Sequence, residues 1–147
     1  MSQIKLDDRL DERLDERLQR DCHLLGRIMS TRVLLHRNAG VAWFILVPDT
    51  DCIELVDLRA DQQTELFDQI NALSGFIRSH FAVEKLNVAS IGNVVAQLHV
   101  HVIGRNHDDY CWPDPVWGRP CEDVYSAEEV DRVRELLTGA LEDFIAE

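Results

Sequence analysis

Apolar and polar residues change their spacing several times along the chain. From residue 6 to 18 a leucine recurs every fourth position in the repeat Leu6-Asp7-Asp8-Arg9, Leu10-Asp11-Glu12-Arg13, Leu14-Asp15-Glu16-Arg17, Leu18. That spacing draws a narrow apolar stripe on a helix, and acid–base pairs such as Glu12 with Arg9 and Glu16 with Arg13 offset the crowding of the aspartates. The stripe has period four and spans under three heptads, so it reads as a solvated helix packed along its leucine edge, not a coiled coil. It predicts an N-terminal helical extension over residues 1–25.

Two strands are expected next, Arg32–His36 and Val41–Val47, around the turn-like Arg37-Asn38-Ala39-Gly40. The second, VAWFILV, is continuously apolar and therefore central in a sheet. Pro48-Asp49-Thr50-Asp51 ends it, and Asp61 reads as the N-cap of a helix over residues 62–80, where Leu66, Ile70, Leu73, Ile77 and Phe81 fall at helical spacing. The apolar run Leu86–Ile91 precedes Gly92-Asn93. Residues 96–103 then alternate, with Gln97, His99 and His101 on one side and Leu98, Val100 and Val102 on the other. Residues 105–121 contain Trp112-Pro113-Asp114-Pro115-Val116-Trp117-Gly118 and read as an ordered loop. Ser126-Ala127-Glu128-Glu129 is a capping-box signature that opens a last helix, expected over 126–147, with Val130, Val133, Leu137, Leu141 and Phe144 on one face. Some strand pairs lie fewer than ten residues apart, too close for helical crossovers. The expected fold class is α+β: one domain over 1–147 with a mainly antiparallel sheet of about five strands, a long helix between strands and a C-terminal helix.

Composition narrows the function. The 147 residues are 46% hydrophobic and 29% charged, a globular mixture. The net charge of −12 argues against a nucleic-acid binder and against docking on anionic lipid. It leaves room for a small anionic ligand, since a phosphate site needs only a few local donors. No apolar run is long enough to span a bilayer, and the acidic N-terminus shows no secretory signal core. Cys22, Cys52, Cys111 and Cys121 are scattered with no CxxC, which reads as free thiols in a reducing, cytoplasmic setting.

The chemistry concentrates in Gln97-Leu98-His99-Val100-His101-Val102-Ile103. On a strand, alternate residues share a face about 6.6–7 Å apart, so Gln97, His99 and His101 line one small site while Leu98, Val100 and Val102 face the core. Imidazole is a nucleophile and proton carrier near neutral pH, and two on one rigid strand can divide the work of attack and proton handling. The Gly92-Asn93 turn can bring backbone N–H groups close to a phosphate. Alternatives remain open at this level. The two histidines are also readable as polar surface, or as two metal ligands with a third from His107, Cys111 or a carboxylate.

The stretch Leu86-Asn87-Val88 … Gly92-Asn93-Val94-Val95-Ala96-Gln97-Leu98-His99-Val100-His101-Val102-Ile103-Gly104-Arg105 resembles the signature of the histidine triad (HIT) family, His-φ-His-φ-His-φ-φ with φ apolar. Phe44-Ile45-Leu46-Val47-Pro48 is similar to the family's strand ending in proline, and the WPDPVWG loop looks like a bacterial single-domain branch. The resemblance covers roughly residues 30–107 and is most specific over 86–118. It implies a nucleotide hydrolase or transferase working at the α-phosphorus of a nucleoside phosphate derivative, such as a dinucleoside polyphosphate or nucleoside phosphoramidate. His99 takes the place of the nucleophile that becomes nucleotidylated. His101 takes the last triad position, holding a phosphoryl oxygen or supplying a proton to the leaving group. Asn87, Gly92, Asn93 and Gln97 match positions near the phosphate, and His36 and Asn38 fall where relatives contact ribose. The resemblance further implies a small-molecule nucleotide partner, no cofactor or metal, and a homodimer.

The sequence departs from the family pattern at four places. Gln97 replaces the first histidine, and an amide cannot shuttle a proton. Asn93 stands where glutamine is frequent, Val94 where serine or threonine is, and Gly104 where a proline precedes Arg105. These departures favour, as the alternative, a nucleotide-binding regulatory module with weak or no catalysis. Three further residues have two readings each. Trp112 and Trp117 either frame a base pocket or pin the loop to the core, and Arg105 either pairs with phosphate or makes an ion pair with Asp108 or Asp109.

Overall fold

The computed structural model describes residues 13–147. Residues 6–12 of the leucine repeat lie outside the described residues. The remainder of the repeat forms a short helix α1 (Glu16–Asp21), capped by Asp15, whose side chain accepts from the Arg17 N–H. Leu14 and Leu18 are buried, so the leucine edge packs down as its spacing implies. The helical extension ends sooner than residue 25: the chain passes directly into strand β1 (Cys22–Ile28), which pairs with β2 (Thr31–His36). The CHLLGRI segment has no clean alternation, and a bulge between Leu24 and Gly26 accounts for that.

Strand β3 (Ala42–Val47) follows, then a long helix α2 (Ala60–His80), β4 (Lys85–Ala89), β5 (Val100–Arg105), helix α3 (Ala127–Ala140) and β6 (Phe144–Ala146). The sheet has six strands in the order β4-β5-β3-β2-β1-β6, every adjacent pair antiparallel. The α+β class stands, with one strand more than the five expected. Neither β1 nor β6 is among the strands that the sequence pattern locates, and it merges β6 into the last helix. α3 stops at Ala140, and Phe144 is buried in the sheet and not on a helix face. Three strand residues are too few to show a period, and what draws them in is the open edge of β1. There Gly26 lets the chains approach so closely that a Cβ would lie 2.2 Å from the Ile145 carbonyl oxygen. Ser126 and Glu129 do form the expected capping box. Asp61 is not the N-cap of α2. That place belongs to Arg59, whose N–H donates to Gln62 Oε1, and Asp61 sits inside the first turn, where a carboxylate favours the helix dipole.

The sheet buries both faces. Val33, Leu35, Phe44, Leu46, Leu98, Val100 and Val102 face α2 and α3. Leu34, Trp43, Ile45, Val47 and Ile103 face the other way, beneath α1 and the loop after β5. Gly104, the residue in place of the family's proline, has a packing reason: a Cβ there would come 2.5 Å from Val83 and 2.8 Å from Ile77. All four cysteines are free thiols. Among the described residues no helix is long and apolar enough to cross a membrane.

Candidate functional site

β5 is the second strand of the sheet; His101 lies in it and His99 immediately precedes it. His99 and His101 are both buried, their rings 4.9 Å apart and nearly perpendicular. They point away from α2 and α3, as the alternation demands. A cavity of about 260 Å³ opens over them. Its walls come from α1 (Arg17, Leu18, Arg20, Asp21), the β2–β3 hairpin (His36, Trp43), the β4–β5 loop (Asn93, Val94) and Trp117.

Each imidazole is held by one nitrogen. His99 Nδ1 lies 2.6 Å from the Gln97 carbonyl oxygen. A carbonyl only accepts, so Nδ1 carries a proton, and the tautomer this selects has its lone pair on Nε2. For His101 the logic is reversed. The Trp43 indole N–H donates to His101 Nδ1 at 2.9 Å, and indole can only donate. The His101 proton therefore sits on Nε2. Burial, followed by the neighbouring His99 and His36, pushes the His101 pKa down to about 3, so the ring is a neutral N–H donor at physiological pH. Burial likewise lowers His36 to about 4. His36 stacks on Trp43 at 3.8 Å between ring centroids and takes the Asn38 N–H on Nδ1. Trp117 closes the far side edge-on, 5.0 Å from His101 and 5.8 Å from Trp43.

The expected site residues divide into two groups. His99, His101, His36 and Asn93 share the cavity. Gly92 lies beside it but does not line it, and it does not adopt positive φ. Asn38 faces a neighbouring cavity of about 440 Å³, and its amide is engaged locally, accepting from the Gly40 N–H and donating to the Tyr110 hydroxyl. Asn87 is outside the cavity on β4, where Oδ1 accepts from Arg105. Gln97 is outside it as well: its amide bonds the backbone of residues 13 and 15. The alternation placed Gln97 beside the histidines, but the regular strand begins only at Val100, so the alternation does not extend back to it.

Arg105 resolves to the structural reading. It is 1% exposed and grips Asp109 at 2.7 and 3.1 Å, Asn87 at 3.1 Å and the Asp114 carbonyl at 2.9 Å. This fan of bonds fixes the loop that carries Trp117. Trp112 packs against Arg105 and His107, away from the cavity. The metal reading needed a third ligand near the histidines. His107 instead bonds Glu84 at the surface, Cys111 packs beside Arg105, and no three metal-ligating side chains converge among the described residues. Sequence reasoning missed two residues that matter here, Arg17 and the indole N–H of Trp43. Neither carries a signal in the sequence, because both reach the site from distant segments.

The sequence matches the HIT domain over residues 17–108. Among solved structures, a histidine triad protein from Marinobacter aquaeolei is 38% identical, covering 90% of this chain and 97% of that one with a TM-score of 0.83. One from Bradyrhizobium japonicum is 36% identical and one from Sinorhizobium meliloti 34%, each covering 87% of this chain and 96% of its own at a TM-score of 0.82. No curated protein matches the sequence significantly. The family match spans the sheet from α1 to the end of β5 and takes in both imidazoles, and the chain belongs to the HIT, or histidine triad, family.

Proposed function

We propose that this HIT protein is a nucleotide hydrolase or nucleotidyl transferase that works through a covalent nucleotidyl-His99. HIT proteins as a family bind nucleotides and catalyse their hydrolysis or transfer, though some members are inactive. The observation that carries the proposal is the opposed tautomers of two adjacent imidazoles, one offering a lone pair and the other an N–H into the same cavity. His99 Nε2 attacks the α-phosphorus, a P–N bond forms, and the bond to the leaving group breaks with its electron pair on the leaving group. Water then attacks phosphorus, the P–N bond breaks, and the nucleoside monophosphate departs as a water proton is lost. Because neutral His101 is a poor acid, it is read as the donor that holds a phosphoryl oxygen while charge develops, not as the source of the leaving-group proton. Two adjacent features support the nucleotide as substrate: the His36–Trp43–Trp117 aromatic wall suits a base, and the cavity is bordered by Arg17 and Arg20.

The test is turnover of a nucleoside phosphoramidate and a dinucleoside polyphosphate, with mass detection of nucleotidylated His99. His99→Ala is expected to lower turnover by roughly a thousandfold or more, as loss of a covalent nucleophile does. Unchanged turnover would exclude the mechanism. The second reading, a binding module without catalysis, is favoured by the absence of a side-chain donor at Val94. It predicts nucleotide binding by calorimetry with no turnover across the same panel. We further propose a homodimer in a reducing compartment, in keeping with the exposed edge strand β4, whose Val88 is solvent-facing, and with four free thiols. A monomeric mass by light scattering would refute the dimer.

A further inference from the structure

Gln97 stands where the family pattern has its first histidine, yet its side chain is turned to the chain's own N-terminal segment. Oε1 accepts from the Asp15 N–H and Nε2 donates to the Arg13 carbonyl, both at 2.8 Å. A side-chain amide offers an acceptor and a donor side by side, as a peptide group does, so this pair of bonds imitates one rung of a β-ladder. The main-chain carbonyl of the same residue accepts from His99 Nδ1. One residue therefore holds the nucleophile with its backbone and a remote segment with its side chain.

The segment so held belongs to the site. Leu14 and Leu18 are buried on the sheet at 4% and 5% exposure, alongside Ile45, Val47 and Val95. Between them Asp15 caps α1 and takes two N–H groups of the Arg17 guanidinium, at 3.2 and 3.1 Å. Arg17, Leu18, Arg20 and Asp21 then form one wall of the His99 cavity. The ion pair with Asp15 fixes the direction of Arg17, and Asp15 is itself fixed at its backbone by Gln97.

We propose that Gln97 is a positioning residue that clamps the Arg13–Asp21 segment to the sheet, so that α1 becomes a fixed wall of the cavity and presents Arg17 to the phosphates of the substrate. Only the role of Arg17 rests on the nucleotide reading; the clamp itself does not. The departure at the first triad position then has its own function, and completing the histidine motif is harmful. An imidazole at residue 97 has two nitrogens that diverge, and it cannot bridge the Arg13 carbonyl and the Asp15 N–H as a planar amide does.

The experiment uses the full chain and three variants: Gln97→Ala, Gln97→His and the near-isosteric Gln97→Glu, which keeps the acceptor and loses the donor. Hydrogen exchange is followed over residues 13–21, and KM and kcat are measured on a nucleoside phosphoramidate. Two hydrogen bonds are at stake, so exchange at residues 13–17 is expected to accelerate roughly tenfold in Gln97→Ala and Gln97→His and by less in Gln97→Glu. KM is expected to rise about tenfold in Gln97→Ala, with kcat changed less than about threefold. Should Gln97→Ala fail to melt cooperatively, Gln97→Glu carries the same comparison. Exchange equal to wild type in the variants overturns the clamp, and so does a Gln97→His variant with kcat/KM above wild type. Faster exchange in a protein that turns over no nucleotide leaves the clamp standing and removes the catalytic reading instead.

Discussion

β3 feeds two different worlds from one strand. Ala42, Phe44 and Leu46 turn to the helices, where Phe44 meets Phe76 and Phe81 edge-on at 6.0 and 5.8 Å. Trp43, Ile45 and Val47 turn to the opposite face, where Trp43 touches His36, His101 and Trp117. The helix face is held by non-directional burial, which many apolar sets satisfy. The other face is held by aimed contacts: the indole N–H on His101, the Gln97 amide on residues 13 and 15, and the Arg105 guanidinium on the Trp117 loop. Apolar packing there supports polar groups that each have one geometry. The difference shows how a small acidic protein builds a polar site: one face of the sheet supplies stability, and the other uses it.

Changes on each face should therefore read out differently. The largest effect on stability is expected from Phe44→Ala, about 3–5 kcal/mol, because a fully buried ring at the centre of the helix face leaves a cavity. Activity per folded molecule should survive. A denaturant midpoint that hardly moves would mean that the helix face is not the main core.

Acidification tests the other face. In the unfolded chain His36 and His101 titrate near pH 6.5, whereas in the folded protein they titrate near 4 and near 3. Between those values the unfolded state binds more protons, so stability is lost as pH falls below 6.5. The expected loss is about 2 kcal/mol per ring on going from neutral pH to pH 5. Urea midpoints at pH 7 and pH 5 measure it. His36→Gln should remove about half of the dependence, and a flat profile in the wild-type protein would show that these rings are not neutral in the fold.

The smallest change is Trp43→Phe, which keeps an aromatic ring and removes one N–H. Loss of the bond to His101 should cost about 1 kcal/mol and slow turnover roughly tenfold. Ring-nitrogen NMR should then show His101 populating both tautomers. A single unchanged tautomer would mean that something other than the indole sets it.

Much of the fold was legible because the helix face follows simple periods: Leu66, Leu73 and Ile77 on α2, Val130, Val133 and Leu137 on α3, and the alternation of Val100 and Val102 on β5. β1 was hidden by its bulge, and β6 by its length of three residues. The histidine pair was legible for the same reason as the core, since alternation along one strand ties His99 and His101 to the face opposite Val100. Asn87, Asn38 and Gln97 were not. An amide serves a ligand, a turn or a distant backbone equally well, and only the fold shows which partner lies within reach.

The sequence by itself determined the antiparallel α+β plan, the family, and the two imidazoles that share a face, because each of these depends on local period or on a contiguous motif. The tertiary structure decided what the imidazoles are. Trp43, 58 positions from His101, places its proton, and the Gln97 main chain places that of His99. Gln97 also brings in a wall from residues more than 80 positions away. A tautomer is set by whichever donor or acceptor lies about 3 Å away in space, and separation along the chain carries no record of that distance.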